Sequence, residues 1–463
     1  MILTYFASNL TPRPQQVHAL TELERLWSTH DVFVVNMPVG AGKSRVITTL
    51  ANWLGEAAIL APNNVLVNQY KHDFPDLPTL AKKSTYYCAR DKRSCETTKK
   101  KCERYCDNCP LLTDTKTFYS APIYLANYYT YLAHKQWRST LIVDEAHNLL
   151  KMLTEDAAKR VWKHKDYYPP EVQTYEDVLA WLETKGPKYK KLLTTLKRDR
   201  MRSLCQRSWD YYRGEYRECL KFTPIDAREQ PPVLWNPYKV KKIVLVSATI
   251  GPSDIYDLGL DRRRVAYITT SSPIASYRRP VVIDSVGSIN YQTLPSLLPR
   301  IADKIKAYTD ANPNTKGLVH LTYAMAKPLK DLLADNPRFL WHDTVSKSSV
   351  LQKFINAQDP YVLMASGMTE GVDLSGDKGR WQIITKIPFL SLADPAIDHK
   401  RRQRPDWYAW QAILAILQAS GRICRGPVDK GATVILDGSF YTLWNKYRSM
   451  FPVWFQEAVD TGR

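Results

Sequence analysis

The sequence predicts an α/β protein of two lobes, each built on an open, mostly parallel sheet. Two observations predict it. Short β-rich runs recur along the chain, each ending in a polar or Gly-rich segment, and helical patterns lie between many of them. The runs are Val32–Val35, Ala57–Leu60, Leu141–Val143 and Ile243–Val246, followed by Leu318–Leu321, Tyr361–Met364, Ile383–Thr385 and Thr433–Leu436. Between the first two, Val46, Leu50 and Trp53 share one helical face. Such alternation implies parallel sheets whose ligand sites sit at the carboxyl ends of strands.

Two regions break the alternation. Residues 80–115 are rich in Cys and Lys. Residues 150–235 are rich in Lys, Arg, Tyr and Trp, with helical patterning and no clear run of strands. Both read as insertions, the first a cysteine-rich metal insert and the second mostly helical. The first lobe then comprises 1–79, 116–149 and 236–272. The second is 273–463, entered through the proline-bearing stretch near Ser271–Pro280.

Composition bounds the class. A chain of 463 residues, 44% of them apolar, can build more than one core. No stretch approaches the ~18 uncharged apolar residues of a membrane span. MILTYFASNL lacks a basic segment followed by a long apolar run, so no secretory signal is expected and a cytoplasmic location is the default. Lys and Arg total 65 against 46 Asp and Glu, a net charge of +19. That excess favours a polyanionic partner, because phosphate contacts release counterions; solvated surface charge is the alternative.

The most specific motif is Met37-Pro38-Val39-Gly40-Ala41-Gly42-Lys43-Ser44, between a strand and a helix. Gly40, Ala41 and Gly42 let backbone N–H groups curl around phosphates at a helix N-terminus. Lys43 would hold the β/γ-phosphates of ATP, and Ser44 would ligate Mg²⁺. The usual pattern opens with Gly where this chain has Met37. Downstream, Leu141-Ile142-Val143 leads into Asp144-Glu145-Ala146-His147. Asp144 at the strand end would hold the metal's water shell, and Glu145 would orient or deprotonate the attacking water.

Of eight cysteines, Cys88, Cys95, Cys102, Cys106 and Cys109 fall within 22 residues. Clustering without a secretory context argues for metal, and a four-thiolate set suits an iron–sulfur cluster or zinc.

These motifs together resemble the XPD/DinG branch of the superfamily 2 DNA helicases, the DEAH-box iron–sulfur helicases. The resemblance extends over nearly the whole chain and implies two RecA-like motor lobes. Arg13-Pro14-Gln15-Gln16 resembles the adenine-reading Q motif, making Gln16 the base contact beside Arg13. Ala61-Pro62-Asn63-Asn64, with Gln69, occupies the place of a strand-binding motif, and Ser247-Ala248-Thr249 that of the coupling motif. Glu370-Gly371-Val372-Asp373-Leu374 and Lys386-Ile387-Pro388-Phe389 resemble the second-lobe signature, which puts Asp373 at the nucleotide. Gln418-Ala419-Ser420-Gly421-Arg422-Ile423-Cys424-Arg425 resembles the arginine-finger motif. Read as one helix, Trp407, Trp410, Leu414, Leu417 and Gly421 form a core stripe, with Gln418, Arg422 and Arg425 on a neighbouring one. The two guanidiniums would stabilise charge on the γ-phosphate.

The resemblance also implies that the two inserts are an iron–sulfur domain and an arch. It favours a four-iron, four-sulfur cluster over zinc. Cys88 and Cys109 match the first and last ligands, Cys102 and Cys106 are the chosen middle pair, and Cys95 is a fifth cysteine that could replace one of them. No extra nuclease or N-terminal domain is expected.

Lys82, Lys83, Arg90, Lys92, Arg93, Lys99, Lys100 and Lys101 surround the cysteines. Tyr124, Tyr128, Tyr129 and Tyr131 follow on an expected helix, and Lys188, Lys190, Lys191, Lys197, Arg198, Arg200 and Arg202 lie in the arch. Cations tracking phosphates and aromatics stacking on bases suit a single strand, while core packing is the alternative for the tyrosines and the favoured reading for two of the four. The expected function is an ATP-dependent helicase, a monomer, translocating 5′→3′ on single-stranded DNA and opening forked DNA. The rivals are an RNA helicase and a nucleic-acid-binding ATP switch without unwinding.

Overall fold

A computed structural model describes residues 1–88, 92, 94–95, 108–162, 175–198, 202–212, 215–228, 234–342, 346–366 and 374–460. The chain divides into two compact units, Met1–Met37 with Gly42–Thr270, and Ser271–Arg463 with Pro38–Ala41.

The first unit holds six parallel strands: β1 (Val32–Asn36), β2 (Ala57–Ala61), β3 (Ile123–Asn127), β4 (Thr140–Asp144), β8 (Lys242–Ser247) and β9 (Val265–Thr269). Their order is β3-β2-β4-β8-β1-β9. Val32, Phe33, Val34 and Val35 are fully buried, as expected for a central strand covered on both faces. Each such side chain contributes roughly 1.5–3 kcal/mol relative to exposure. The helices are α1 (Pro14–Leu26), α2 (Lys43–Leu54), α3 (Asn64–Asp73), α4 (Pro110–Ser120), α5 (Tyr128–His134) and α6 (Leu149–Asp156). Helix α2 closes at Gly55, whose left-handed backbone (φ +71°) returns its N–H to Ala51 O at 3.0 Å.

The region read as a mostly helical insert is mixed. Helices α7 (Tyr175–Glu183) and α8 (Lys190–Arg198) are present, but so is an antiparallel sheet ordered β5-β7-β6. Its strands are β5 (Lys159–Trp162), β6 (Ser203–Tyr212) and β7 (Glu215–Pro224). Val161, Val178, Leu182, Leu196, Leu220 and Phe222 form its core. Charge hides these strands from a hydrophobic pattern, and tertiary pairing offsets the charge. Glu155 accepts from Arg160 at 2.9 Å and also from Lys221, Arg160 reaches Asp210 at 2.5 Å, and Arg207 pairs with Glu218 across the β6–β7 ladder at 3.2 Å.

The second unit is a seven-stranded parallel sheet ordered β12-β13-β11-β14-β15-β10-β16. Its strands are β10 (Val281–Gly287), β11 (Gly317–Leu321), β12 (Phe339–Trp341), β13 (Val362–Ser366), β14 (Trp381–Ile384), β15 (Ala432–Asp437) and β16 (Val459–Asp460). Asp437, at the end of β15, accepts from the Ile387 and Ile289 N–H groups at 3.0 Å each, which anchors the Lys386–Phe389 loop. No helix among the described residues is long and apolar enough to cross a membrane.

Candidate nucleotide site

Strands β4, β8 and β1 are neighbours, with Asp144 beside Val246 and Ser247 beside Asn36 in register. Their carboxyl ends therefore bring the DEAH segment, Ser247 and residues 42–44 of the phosphate loop together in one unit. Met37, in place of the usual Gly, is fully buried and donates to Ser247 O at 2.8 Å, so it extends the sheet before the loop turns.

Gly42 needs to be glycine. Its φ is +83°, and a Cβ there would lie 2.3 Å from Gln16 Nε2. Gln16 is buried, and both ends of its amide hold backbone: Oε1 accepts from Arg13 N–H at 2.8 Å, and Nε2 donates to Gly42 O at 3.1 Å. The residue expected to touch the base thus ties α1 to the phosphate loop. Helix α2 starts at Lys43, so Lys43 and Ser44 stand in its first turn.

Lys43 Nζ lies 3.2 Å from Glu145 Oε1. Glu145 has a left-handed backbone (φ +46°), a cost on the order of 1 kcal/mol for a non-glycine residue. Asn148 holds it there, with its N–H and its Nδ2 donating to Glu145 O at 3.0 and 3.2 Å. The Asn148 amide also faces His147 Nε2 at 3.1 Å. Since that amide nitrogen is a donor, His147 carries its proton on Nδ1, which faces Ser247 Oγ at 3.0 Å and Glu145 Oε2 at 3.4 Å. The DEAH histidine and the Ser247–Thr249 motif are thereby joined.

Asp144 is buried. Its Oδ2 accepts from Tyr70 O–H and its Oδ1 from Glu145 N–H, each at 2.8 Å. Burial, reinforced by the neighbouring Glu145 charge, pushes its carboxyl up to about 6. Tyr70 is raised well above the phenol range by burial and by Asp144, and Ser44 is within its hydrogen-bonding reach. Sequence reasoning missed Tyr70. Its only local signal was a buried-face spacing with Val67 on α3, which says nothing about the phenol's partner. The oxygen donors of Ser44 and Asp144, beside a lysine and a helix N-terminus, fit a hard cation carrying phosphates.

In the second unit the helix Pro405–Ser420 ends before Gly421. Arg422 and Arg425 therefore lie beyond it, and the expected helical alignment with Gln418 does not exist. Leu414 is half-buried, whereas Trp407, Trp410 and Leu417 are core. Arg422 is buried and its carbonyl accepts from Leu374 N–H at 3.2 Å, while Arg425 is exposed and its N–H donates to Asp429 at 3.0 Å. Asp373, with Glu370, Gly371 and Val372, lies outside the described residues.

Cys102 and Cys106 also lie outside them, as do Arg90, Arg93, Lys99, Lys100, Lys101 and Arg200. Cys109 is buried and precedes Pro110 of α4. Cys88 and Cys95 are half-buried on a tight return, where Cys95 N–H donates to Tyr86 O at 2.9 Å. Among the described residues no three His, Cys, Asp or Glu side chains gather as a metal site. Of the four candidate stacking tyrosines, Tyr124 lies on β3 and the other three on α5. Tyr124, Tyr128 and Tyr131 are core, and Tyr129 alone of the four is exposed, at 59%. Two of the cations expected to contact the strand in residues 150–235 are already paired, Lys197 with Glu183 and Arg202 with Asp226.

A phosphate loop, a strand-end carboxylate pair and parallel sheets define a P-loop protein of two RecA-like lobes. Residues 9–175 match the family model of the type III restriction enzyme res subunit, and residues 315–458 match that of the helicase C-terminal domain. The chain is similar to the ATP-dependent DNA helicase YoaA of Escherichia coli, at 25% identity over 268 residues, which is 52% of this chain and 41% of that protein. It is also similar to the regulator of telomere elongation helicase 1 homolog of Drosophila melanogaster, at 35% identity over 240 residues, 47% of this chain and 23% of that one. These matches span less than half of either relative. The fold resembles that of Xpd4 from S. tokodaii, with a TM-score of 0.59 at 15% identity, covering 97% of this chain and 100% of that one. In these matches the chain resembles the XPD/DinG-like branch of the superfamily 2 helicases.

Proposed function

We propose that the protein is an ATP-dependent DNA helicase that moves 5′→3′ along single-stranded DNA and opens forked duplex. The observation that carries the ATPase half is the Lys43–Glu145 contact beside the buried Asp144. The groups that phosphoryl transfer to water requires stand together: a phosphate cation, a carboxylate for the water and a carboxylate for the metal. Magnesium, when bound by Ser44 and Asp144, supplies charge neutralisation at the phosphates. Gly40, Ala41 and Gly42 offer N–H groups to phosphate, Lys43 supplies positive charge, and Glu145 orients and deprotonates the attacking water. Arg13 and Gln16 are assigned to the adenine side of the pocket, with Gln16 also bracing the loop, and Asp373 to the nucleotide. Gln418, Arg422 and Arg425 are assigned to charge on the γ-phosphate, as loop residues following a helix.

DNA as the strand is supported by the net charge of +19 and by the named activity of the YoaA relative. Exposed Gln69 and Tyr129, with Lys82, Lys83 and Lys92, are the described candidates for strand contact. Cys88, Cys102, Cys106 and Cys109 are proposed to hold a four-iron, four-sulfur cluster, a role that a purely thiol donor set suits. The inserts are proposed at 80–115 and 150–235, in a monomer acting in the cytoplasm or at the nucleoid.

The test is ATP hydrolysis with single-stranded DNA or RNA added, beside displacement from forks tailed 5′ or 3′. DNA-stimulated turnover and displacement only from the 5′-tailed fork are expected. Preference for RNA would make it an RNA helicase, and turnover without displacement a switch.

A further inference from the structure

We propose that Tyr70 is a positioning residue for Asp144, and that it links this carboxylate to the helix carrying the expected strand-contact segment. The proposal rests on the ATP-site reading above and adds a residue that no sequence motif marks.

Three observations carry it. First, the Asp144 carboxylate is held at two points, Oδ2 by the Tyr70 phenol and Oδ1 by Glu145 N–H, at 2.8 Å each. Two donors on opposite oxygens fix the carboxylate's rotation; one would leave it free to swivel. Second, the pair is closed off. Tyr70 is 1% and Asp144 2% exposed, and the tyrosine ring packs 5.8 Å from Phe74, so water does not replace a lost phenol readily. Third, Tyr70 belongs to α3, whose cap is Asn63 and whose exposed face carries Gln69, the immediate neighbour of Tyr70. Asn64, in the first turn, accepts from Asn127 at 2.5 Å, at the end of the adjacent β3. A strand seated on Asn63, Asn64 and Gln69 loads the same short helix that aims the phenol at Asp144. Strand occupancy is therefore transmitted to the metal-holding carboxylate through one hydrogen bond.

Tyr70→Phe removes only the hydroxyl. The first readout involves no turnover: Mg²⁺ titration of the affinity for a fluorescent ADP analogue. The Mg²⁺ needed for the half-maximal effect is expected to rise roughly tenfold, the scale of losing an outer partner of a metal-holding carboxylate, with affinity in EDTA unchanged. Stimulation of ATP hydrolysis by single-stranded DNA should fall with it. Tyr128→Phe is the control. Its equally buried phenol donates to the main-chain carbonyl of Asp144 at 3.2 Å and not to the carboxylate, so its Mg²⁺ titration should match the wild type. Tyr70→Met, apolar and adaptable enough to fill the space, gives a second hydroxyl-free variant should the first be unstable, and should show the same shift. An unchanged or tightened Mg²⁺ titration in the Tyr70 variants, or an equal shift in Tyr128→Phe, overturns the proposal. If Glu145→Gln also hydrolyses ATP normally, the ATP-site reading has failed and not this link alone.

Discussion

Lys43 Nζ stands 3.2 Å from Glu145 Oε1, joining the phosphate loop after β1 to the carboxylate that follows β4. Residues about a hundred positions apart in the chain thus meet at one set of strand ends. Glu145 reaches this position with a left-handed backbone, a local cost that Asn148 holds in place.

Substitution of either partner should separate binding from hydrolysis. Lys43→Ala is expected to lose nucleotide affinity. Glu145→Gln should bind ATP yet turn it over ~10²–10⁴-fold more slowly, the usual loss on removing a general base. Equilibrium nucleotide binding beside steady-state phosphate release checks both, and wild-type turnover in Glu145→Gln would remove the role assigned to it.

The brace between Gln16 and Gly42 predicts a stability effect. Gly42→Ala places a methyl 2.3 Å from Gln16 Nε2 at φ +83°. A loss of about 1–3 kcal/mol in unfolding free energy is expected, together with weaker ATP binding. In the Gln16→Ala background the clash is relieved, so the Gly42→Ala penalty should shrink; full additivity in denaturant melts would contradict the contact.

Arg422 and Arg425 should respond differently, because one is buried and the other exposed. Both Ala variants should cut ATP turnover at least tenfold with single-strand affinity nearly intact. Arg422→Ala alone should also lower the melting temperature. A large loss of DNA affinity at normal turnover would instead place either arginine on the strand path.

His320 predicts a pH dependence in the second unit. Burial lowers its imidazole from 6.5 to about 4, with the Gln382 hydrogen bond opposing and the Arg422 charge adding. The unfolded chain therefore takes up a proton below about pH 6.5 that the folded one refuses until about 4. Stability is complete above that window and falls as pH drops through it, by ~1–2 kcal/mol between pH 7 and 5. Replacing His320 with Gln should flatten that part of the profile; an unaltered slope would show that other groups set it.

The cysteines predict a chromophore. Cys88, Cys102, Cys106 and Cys109 should each be needed for brown colour and iron content, and Cys95→Ser should be tolerated. ATP hydrolysis should persist in part while displacement collapses, the outcome expected of a proposed metal insert whose folding energy would come largely from its cluster. A colourless zinc protein would overturn the cofactor. A brown Cys102→Ser beside a colourless Cys95→Ser would bring Cys95, which returns to Tyr86 through its backbone, into the ligand set.

The sequence by itself determined what local pattern can carry. Eight apolar runs marked eight sheet strands to within a residue or two, because central parallel strands are buried on both faces and read as unbroken hydrophobic stretches. Gly40-Ala41-Gly42-Lys43-Ser44 and Asp144-Glu145 were legible because a phosphate loop needs its residues consecutive. Only the tertiary structure decided the contacts between distant segments. The charged strands β6 and β7 became a sheet through Glu155 and Glu218. Tyr124, Tyr128 and Tyr131 became core, and the helix before Arg422 stopped at Ser420. Gln16 found Gly42, and Tyr70 found Asp144. A buried amide or phenol must find a partner, but the chain names that partner only once packing has brought it within reach.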